Sequence, residues 1–200
     1  MTSYNPNRQG EVYLVVSAAS SVIHSVHFYE HDEALILRLR SIIIPAIDVG
    51  NSVIVVATEP HRQQLKTALA TNGVESEILE QQGRFTFADA HELLAEFMVD
   101  GFPDRERFFS SVGNLVARAR QSAWNAQRGV TTFGEMVAVL WEQGNRIAAL
   151  QLESLWNDLL YDREFHLHCA YPRNMFRTNA EAAMIRAICD VHSHVVGRAA

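Results

Sequence analysis

Four groups of polar and aromatic side chains stand close to the points where apolar, strand-like runs of the sequence end. Because the ligands of open α/β sheets bind beyond the carboxyl ends of the strands, we expect these groups to meet in one crevice. Aromatic walls with a few polar groups suit a small, partly apolar organic ligand. The predicted ligand-binding residues are His27, Phe28, Tyr29, Glu59, Glu135, Trp141 and Tyr171.

Each of these residues also has a purely structural interpretation. Aromatic side chains such as Trp141 lie more often in a core than in a pocket, and Glu59 and Glu135 can cap the helices that follow them. A third alternative is an enzyme with Glu59 or Glu135 as the base and a histidine as the acid. Because nothing in the spacing identifies a reaction, we expect no enzyme and assign no catalytic residue.

A metal site is considered at three histidines near the start of the chain. His24, His27 and His31 are separated by three and four residues and would share one face of a helix. No cysteine or carboxylate with matching spacing accompanies them, so we predict neither a metal nor another cofactor. Cys169 and Cys189 form no CxxC motif, which argues against a disulfide framework or a thiolate zinc site. We expect Cys169 to be buried and unreactive.

The composition is that of an ordinary globular chain. Apolar residues make up 48% of the 200 residues, enough for a sizeable core in one domain. The net charge of -6 argues against nucleic acid as a partner, because phosphate binding needs a basic face. No apolar run approaches the roughly 18 residues of a membrane span, and the N-terminus lacks an apolar signal core. We therefore expect a cytoplasmic protein with no membrane partner, a frayed tail at residues 1–10 and a single domain at 11–200.

Apolar periodicity predicts strands that alternate with helices, which is typical of a parallel sheet covered by helices. Strands are predicted at residues 52–57, 74–79, 85–88, 128–133 and 165–170, with Tyr171 after the last of them. Helices are predicted from Glu30 or Asp32 to an interruption at Pro45, and over residues 61–72, 91–99, 104–127, 137–159 and 178–196. Residues 11–19 fit either a strand or the start of a helix.

Two details of the predicted helices bear on the site. Asp104 is a candidate N-cap for the helix that follows it, and Gly144 and Asn145 offer a place where the span 137–159 can divide, with Asn145 capping the second half. Glu153 lies off the apolar stripe of that span.

Several unusual strings connect the chain with a known family. They are HFYE at residues 27–30, FMVDGFPD at 97–104 followed by Arg107 and Phe108, FGEMVAVLWEQGN at 133–145, LESLWNDL at 152–159, CAYP at 169–172 and ICDVHSHV at 188–195. Together they resemble the MEDS domain, the methanogen/methylotroph DcmR sensory domain, over residues from about 20 to 196.

The resemblance implies a fold related to KaiC and RecA, which is a three-layer α/β fold with a mostly parallel sheet flanked by helices. Residues 20–30 stand where such ATPases carry the phosphate loop, but the segment SSVIHSVHFYE contains no glycine and no lysine. A phosphate loop needs glycines so that backbone N–H groups converge on the phosphates, and a lysine for their charge. We therefore predict that a His/Phe/Tyr segment has replaced this loop and that the protein is not a functional ATPase.

The resemblance also implies a sensory role linked to hydrocarbon derivatives, to histidine kinases and to DNA-binding regulators. Because no kinase or helix-turn-helix sequence follows, we expect a stand-alone domain that signals to a separate histidine kinase or transcription regulator and forms a homodimer. The alternative is a protein–protein interaction module that regulates a signalling partner.

Overall fold

The computed structural model describes residues 23–125, 127–176 and 179–196. The predicted tail at residues 1–10 and the undecided segment at residues 11–19 lie outside the described residues.

The centre of the fold is a six-stranded sheet in which all neighbouring strands are parallel. Numbered along the chain, the strands of this sheet and of a separate two-stranded pair are β1 (His24–Tyr29), β2 (Ser52–Ala57), β3 (Phe85–Asp89), β4 (Met98–Val99), β5 (Phe102–Pro103), β6 (Val130–Gly134), β7 (His166–Pro172) and β8 (His194–Val196). The order across the sheet is β3-β2-β6-β7-β1-β8, and β4 and β5 form a separate antiparallel pair. Strands β2 and β6 are buried at every residue, as expected where helices cover both faces.

Helices cover the sheet in two outer layers. They are α1 (Asp32–Asp48), α2 (Glu59–Thr71), α3 (Ser76–Gln81), α4 (Ala90–Phe97), α5 (Arg105–Ser122), α6 (Met136–Glu142), α7 (Arg146–Arg163) and α8 (Asn179–Asp190). Apolar side chains of α1, α2 and α3 pack on one face, and those of α4 to α8 pack on the other. Alternate residues of each strand enter the two cores, because successive side chains of a strand point to opposite faces.

The predicted α/β class, with a parallel sheet between helical layers, is confirmed, while the closer relation to KaiC and RecA stays a prediction. None of the helices in the described parts of the chain is both long enough and apolar enough to cross a membrane.

The expected replacement for a phosphate loop is in large part a strand. Residues 24–29 form β1, which lies between β7 and β8. Alternate residues of this strand, such as Val26 and Phe28, are buried in the sheet. Only Glu30 and His31 connect β1 with α1.

Several other predicted elements differ from the structure. Helix α1 runs through Pro45 to Asp48 without an interruption, and α5 ends at Ser122 and not at residue 127. Residues 74–79 were predicted as a strand, but helix α3 begins at Ser76, and Val74 and Leu79 pack against one core. The helix predicted at residues 91–99 ends at Phe97, and Met98–Val99 pairs with β5. The last predicted helix ends at Asp190, because β-branched residues of His194–Val196 add to the sheet beside β1 as β8.

The predicted helix caps are confirmed. The Asp104 carboxylate accepts a hydrogen bond from the backbone N–H of Arg107. The Asn145 side chain accepts one from the N–H of Ala148, and Gly144 turns the chain between α6 and α7 with a φ of +80°. These two caps fix where α5 and α7 start relative to the sheet.

Candidate functional site

The structure does not gather the seven predicted ligand-binding residues in one crevice. Phe28, Trp141 and Tyr171 lie in the core between the sheet and α4 to α8, whereas Tyr29 belongs to the core beneath α1 and α2. The sheet therefore separates Phe28 from Tyr29, as it must for successive residues of one strand. Tyr171 lies within β7 rather than after it, and β7 is not the last strand.

Phe28, Trp141 and Tyr171 form a packed aromatic cluster with Phe176. The ring centroids of Phe28 and Tyr171 are 6.1 Å apart, those of Trp141 and Tyr171 are 5.8 Å apart, and those of Trp141 and Phe176 are 5.0 Å apart. Phe28, Trp141 and Tyr171 are each no more than 4% exposed. In this conformation they pack against one another, as their structural interpretation requires.

Glu135 and His61 form a buried polar network at the carboxyl ends of β2 and β6. The Glu135 carboxylate accepts hydrogen bonds from the Thr58 N–H at 2.8 Å and from its hydroxyl at 3.2 Å, and His61 Nδ1 lies 2.6 Å from Glu135 Oε1. His61 Nε2 lies 3.3 Å from Asp32 Oδ1 at the start of α1. Glu135 therefore ties β6 to α2 and makes no cap of its own helix.

Charges around this network shift two ionisation equilibria. Burial opposes the charged imidazole, but the hydrogen bonds and charges of Glu135 and Asp32 outweigh it, so the pKa of His61 is raised above its usual value. Burial, together with the charges of Glu135 and Asp32, also raises the pKa of Tyr29. The tyrosine is therefore a neutral donor, and the network favours a protonated His61.

Glu59 and His27 lie away from this network. Glu59 is exposed in the first turn of α2, where its carboxylate pairs with Arg62 and Gln63. His27 lines a cavity of about 10 Å³ between the sheet and α1, which is room for about one water molecule. Burial and the charge of Arg38 lower the pKa of His27 to about 4.

A second group of polar residues is buried on the face of the sheet opposite α1 and α2. It consists of His24 at the start of β1, Glu153 in the middle of α7, Cys169 in β7 and His192 between α8 and β8. Glu153 is 0% exposed, Cys169 1%, His24 3% and His192 8%. We call these four residues the Glu153 cluster.

The ligating atoms of the Glu153 cluster face one another. Glu153 Oε2 lies 3.3 Å from His24 Nε2, 3.5 Å from His192 Nε2 and 3.7 Å from Cys169 Sγ. Cys169 Sγ lies 3.6 Å from His24 Nε2. All four atoms fall within 4.8 Å of one another.

Neighbouring groups hold three of the four members of the cluster in place. The Tyr171 hydroxyl donates a hydrogen bond to Glu153 Oε1 at 2.8 Å. His24 Nδ1 lies 2.9 Å from Asn157 Oδ1, and His192 Nδ1 lies 2.6 Å from the carbonyl oxygen of Ile188. The Nδ1 atoms of both imidazoles and Oε1 of the carboxylate thus have partners outside the cluster. The two Nε2 atoms and Oε2 point at one another.

Burial and neighbouring groups together set the ionisation of the cluster. Burial alone would protonate Glu153, yet its contacts with His24, His192 and Tyr171 hold its pKa below the usual value. Burial and the charge of Glu153 raise the pKa of the Cys169 thiol and of the Tyr171 phenol well above their usual values. Burial lowers the pKa of His192. The cluster therefore contains a buried carboxylate beside a protonated thiol.

Glu153 lies off the predicted apolar stripe and is nevertheless buried, because α7 is covered on more than one side. Ala149, Glu153, Trp156 and Leu160 follow one another at steps of three and four residues, and all are buried. This spacing is visible in the sequence and could have identified Glu153. Pairing it with His24 and His192 needed the tertiary structure, since those residues lie far away in the chain.

A cavity of about 540 Å³ opens beside the Glu153 cluster. It is lined by His24, Asn157, Leu160, Tyr161, Glu164, Asp190, Val191, His192 and Ser193. Its volume lies within the roughly 300–1,000 Å³ of small-molecule sites. Its walls combine the apolar side chains of Leu160 and Val191 with the polar groups of Asn157 and Ser193.

The comparison with protein families agrees with the strings recognised in the sequence. The model of one family, described as MEDS: MEthanogen/methylotroph, DcmR Sensory domain, matches residues 23–193. No curated protein and no solved structure matches the chain. The matched region includes every strand up to β7 and all four residues of the Glu153 cluster. Because the match extends over most of its length, the chain belongs to the MEDS family of sensory domains.

Proposed function

We propose that this protein senses a small organic ligand, a hydrocarbon derivative, and passes a conformational change to a histidine kinase or a transcription regulator. The observation that supports this proposal is the match to a sensory-domain family over residues 23–193. The ligand class comes from the family resemblance stated above.

We place the ligand in the cavity beside the Glu153 cluster. At about 540 Å³ it has room for a small organic molecule. Tyr161 and Glu164 offer polar groups at its wall, and Leu160 and Val191 offer apolar contact. The aromatic cluster around Trp141 is filled by its own side chains, so a ligand there would have to displace them.

The position of this cavity suggests how binding could reach a partner. It lies between the second half of α7 and residues 190–193, which connect α8 with β8. A ligand that contacts both walls favours one spacing of α7 relative to α8 and β8, and it shifts the population toward that spacing. The strand β8 is at the edge of the sheet, where a change can be read by a partner protein.

Thermal-shift measurements with a panel of small alcohols, thiols and halogenated hydrocarbons test the proposal. At least one compound should raise the melting temperature in proportion to its occupancy. Val191→Trp should remove this response because it fills the cavity. Val195→Trp, at a position 43% exposed in β8 and outside the cavity lining, is the matched control and should keep it.

Two results would contradict the proposal. Stabilisation by nucleotides alone would contradict small-molecule sensing as such. A response that survives Val191→Trp but disappears in Tyr29→Phe or Trp141→Phe would contradict the proposed location. It would instead support the strand-end residues His27, Phe28, Tyr29, Glu59, Glu135, Trp141 and Tyr171, which stay a prediction.

An enzyme is the second candidate function, because His61 and Glu135 are within hydrogen-bonding distance at 2.6 Å. Both imidazole nitrogens of His61 and both oxygens of Glu135 already have protein partners, however. A substrate would have to break one of these contacts before it could exchange a proton. Turnover of a panel compound that is lost in His61→Gln would favour the enzyme over the sensor.

A further inference from the structure

We propose that His24, Glu153, Cys169 and His192 together bind one Zn²⁺ ion. This inference goes beyond the sensory function and does not depend on it. It rests on the positions of four ligating atoms, on the hydrogen bonds that orient them and on the charge of the site.

Four of the six distances between the ligating atoms match the edges of a coordination tetrahedron, and the other two are no longer than 4.8 Å. Bonds of about 2.3 Å from zinc to sulfur and about 2.0–2.2 Å to nitrogen and oxygen give tetrahedral edges of about 3.3–3.7 Å. Glu153 Oε2 lies 3.3 Å from His24 Nε2, 3.5 Å from His192 Nε2 and 3.7 Å from Cys169 Sγ. Cys169 Sγ lies 3.6 Å from His24 Nε2. The distances from Glu153 Oε2 to the two imidazole nitrogens, 3.3 and 3.5 Å, are longer than the about 2.7–3.2 Å of an N–H···O hydrogen bond. The two sulfur distances also fit hydrogen bonds of the thiol.

The hydrogen bonds of the two imidazoles assign their tautomers. The Asn157 amide donates to the carbonyl oxygen of Val191 through Nδ2, so its Oδ1 is the acceptor for His24 Nδ1–H. The Ile188 carbonyl oxygen can only accept, so His192 Nδ1 is also protonated. With Nδ1 protonated, Nε2 is the nitrogen through which each neutral ring would ligate a metal ion, and both Nε2 atoms face the Glu153 carboxylate. His192 Nε2 makes no hydrogen bond with any residue that the structure describes.

Four converging ligand atoms of buried residues can hold a cation between them. Zn²⁺ bound to one thiolate, one carboxylate and two neutral imidazoles gives a site with no net charge. Such a site avoids the large free-energy cost of an uncompensated buried charge. On binding, the Cys169 thiol transfers its proton to solvent, because thiols ligate zinc as thiolates.

The outer contacts are those of a protein metal site. The Nδ1–H of each metal-binding histidine typically donates to a carbonyl or carboxylate, and ligating carboxylates are hydrogen-bonded in turn. His24, His192 and Glu153 meet these conditions through Asn157, Ile188 and Tyr171. A tetrahedral set of nitrogen, sulfur and oxygen ligands favours zinc over the harder Mg²⁺ and Ca²⁺. With all four positions taken by protein, the ion would join β1, α7, β7 and the end of α8.

Metal content and cobalt substitution test the proposal on the intact chain. Native mass spectrometry of protein purified from zinc-supplemented cells should show one zinc ion per chain. Exchange for Co²⁺ should produce the visible bands of a tetrahedral site and a thiolate-to-cobalt charge-transfer band. Cys169→Ser should lose this band, while Cys189→Ser, which removes the other free cysteine, should keep it.

A second matched pair of variants tests one of the histidine ligands. His192→Gln should lose zinc, while His194→Gln, two residues further on and exposed, should retain it. Tyr171→Phe, which removes only an outer contact, should bind zinc roughly 10- to 100-fold more weakly. If the ligand variants fail to fold, the cobalt spectrum of the unmodified protein and the affinity of Tyr171→Phe still decide the question.

Three results would overturn the zinc site: folded wild-type protein that takes up no zinc, a cobalt spectrum without thiolate charge transfer, or full zinc binding in both Cys169→Ser and His192→Gln. The outcome is separable from that of the sensory proposal. Zinc bound without any response to organic compounds supports the metal site alone, and a response that survives complete removal of zinc supports sensing alone.

Discussion

Glu153 is a charged residue that the fold keeps completely out of water. A buried carboxylate is unfavourable unless nearby groups compensate it. Tyr171 donates to one oxygen, while His24 and His192 face the other. His24 and His192 come from segments distant from α7 in the chain, and Tyr171 comes from β7, the strand that follows α7. The environment that stabilises this charge thus exists only in the folded protein.

His61 provides a prediction about pH at the residue scale. Its pKa is raised in the folded protein, so its interactions with Glu135 and Asp32 stabilise the fold fully below the unfolded pKa of about 6.5. This contribution is lost as the pH rises through the folded pKa. Denaturant unfolding across neutral pH should therefore show a fall in stability with rising pH that His61→Gln lacks.

The control for this experiment is His91→Gln, because His91 is exposed in the first turn of α4. Its pH profile should follow that of the wild type. Identical pH dependence in wild type and His61→Gln would show that the network around Glu135 does not favour a charged imidazole.

The break between α6 and α7 determines where Glu153 lies. Gly144 turns the chain and Asn145 starts α7, and the Asn145 amide also donates to the Gly101 carbonyl oxygen at 2.6 Å. Asn145 therefore joins α7 to the turn between β4 and β5. A shift of this cap would rotate every later side chain of α7, including Glu153 and Asn157.

At the element scale, Asn145→Ala should lower the free energy of unfolding by about 1 kcal/mol or more, because it removes an N-cap. Asn145→Asp keeps the oxygen that accepts from Ala148 and removes only the donor to Gly101. Urea denaturation should place Asn145→Asp between the wild type and Asn145→Ala. Equal loss in both variants would assign the stability to the Gly101 contact and not to the cap.

At the scale of the whole molecule, side chains of the protein itself occupy the edge of the parallel sheet where the strands have their carboxyl ends. The connection from β1 to α1 is only Glu30 and His31, too short and too poor in glycine for a phosphate-binding loop. At the same edge, the carboxylate of Glu135, which follows β6, is already bound by Thr58 and His61. The β1–α1 connection contains neither a glycine nor a lysine.

At this scale we predict that ATP with Mg²⁺ does not bind. Neither the melting temperature nor phosphate release should differ from that of a control without nucleotide. A nucleotide-dependent rise in melting temperature that Glu135→Gln abolishes would contradict this prediction, because it would show that the edge still holds a nucleotide and its metal.

The alternation of strands and helices could be predicted from the sequence because it depends on local periodicity. The Val/Ile run of β2 and the caps Asp104 and Asn145 required no knowledge of the rest of the chain. The assignments of residues 74–79 and of β8 depended on which neighbours cover those residues, so periodicity over a few positions did not decide them.

The site depended on tertiary structure in the same way. His24, Glu153, Cys169 and His192 are each visible in the sequence, but nothing in their spacing shows that they meet. The order of strands in the sheet brings β1 beside β7 and places α7 over both. Local sequence determines which elements form, whereas contacts between residues far apart in the chain arise only when those elements pack. That packing decided which charged and ligating groups are buried together.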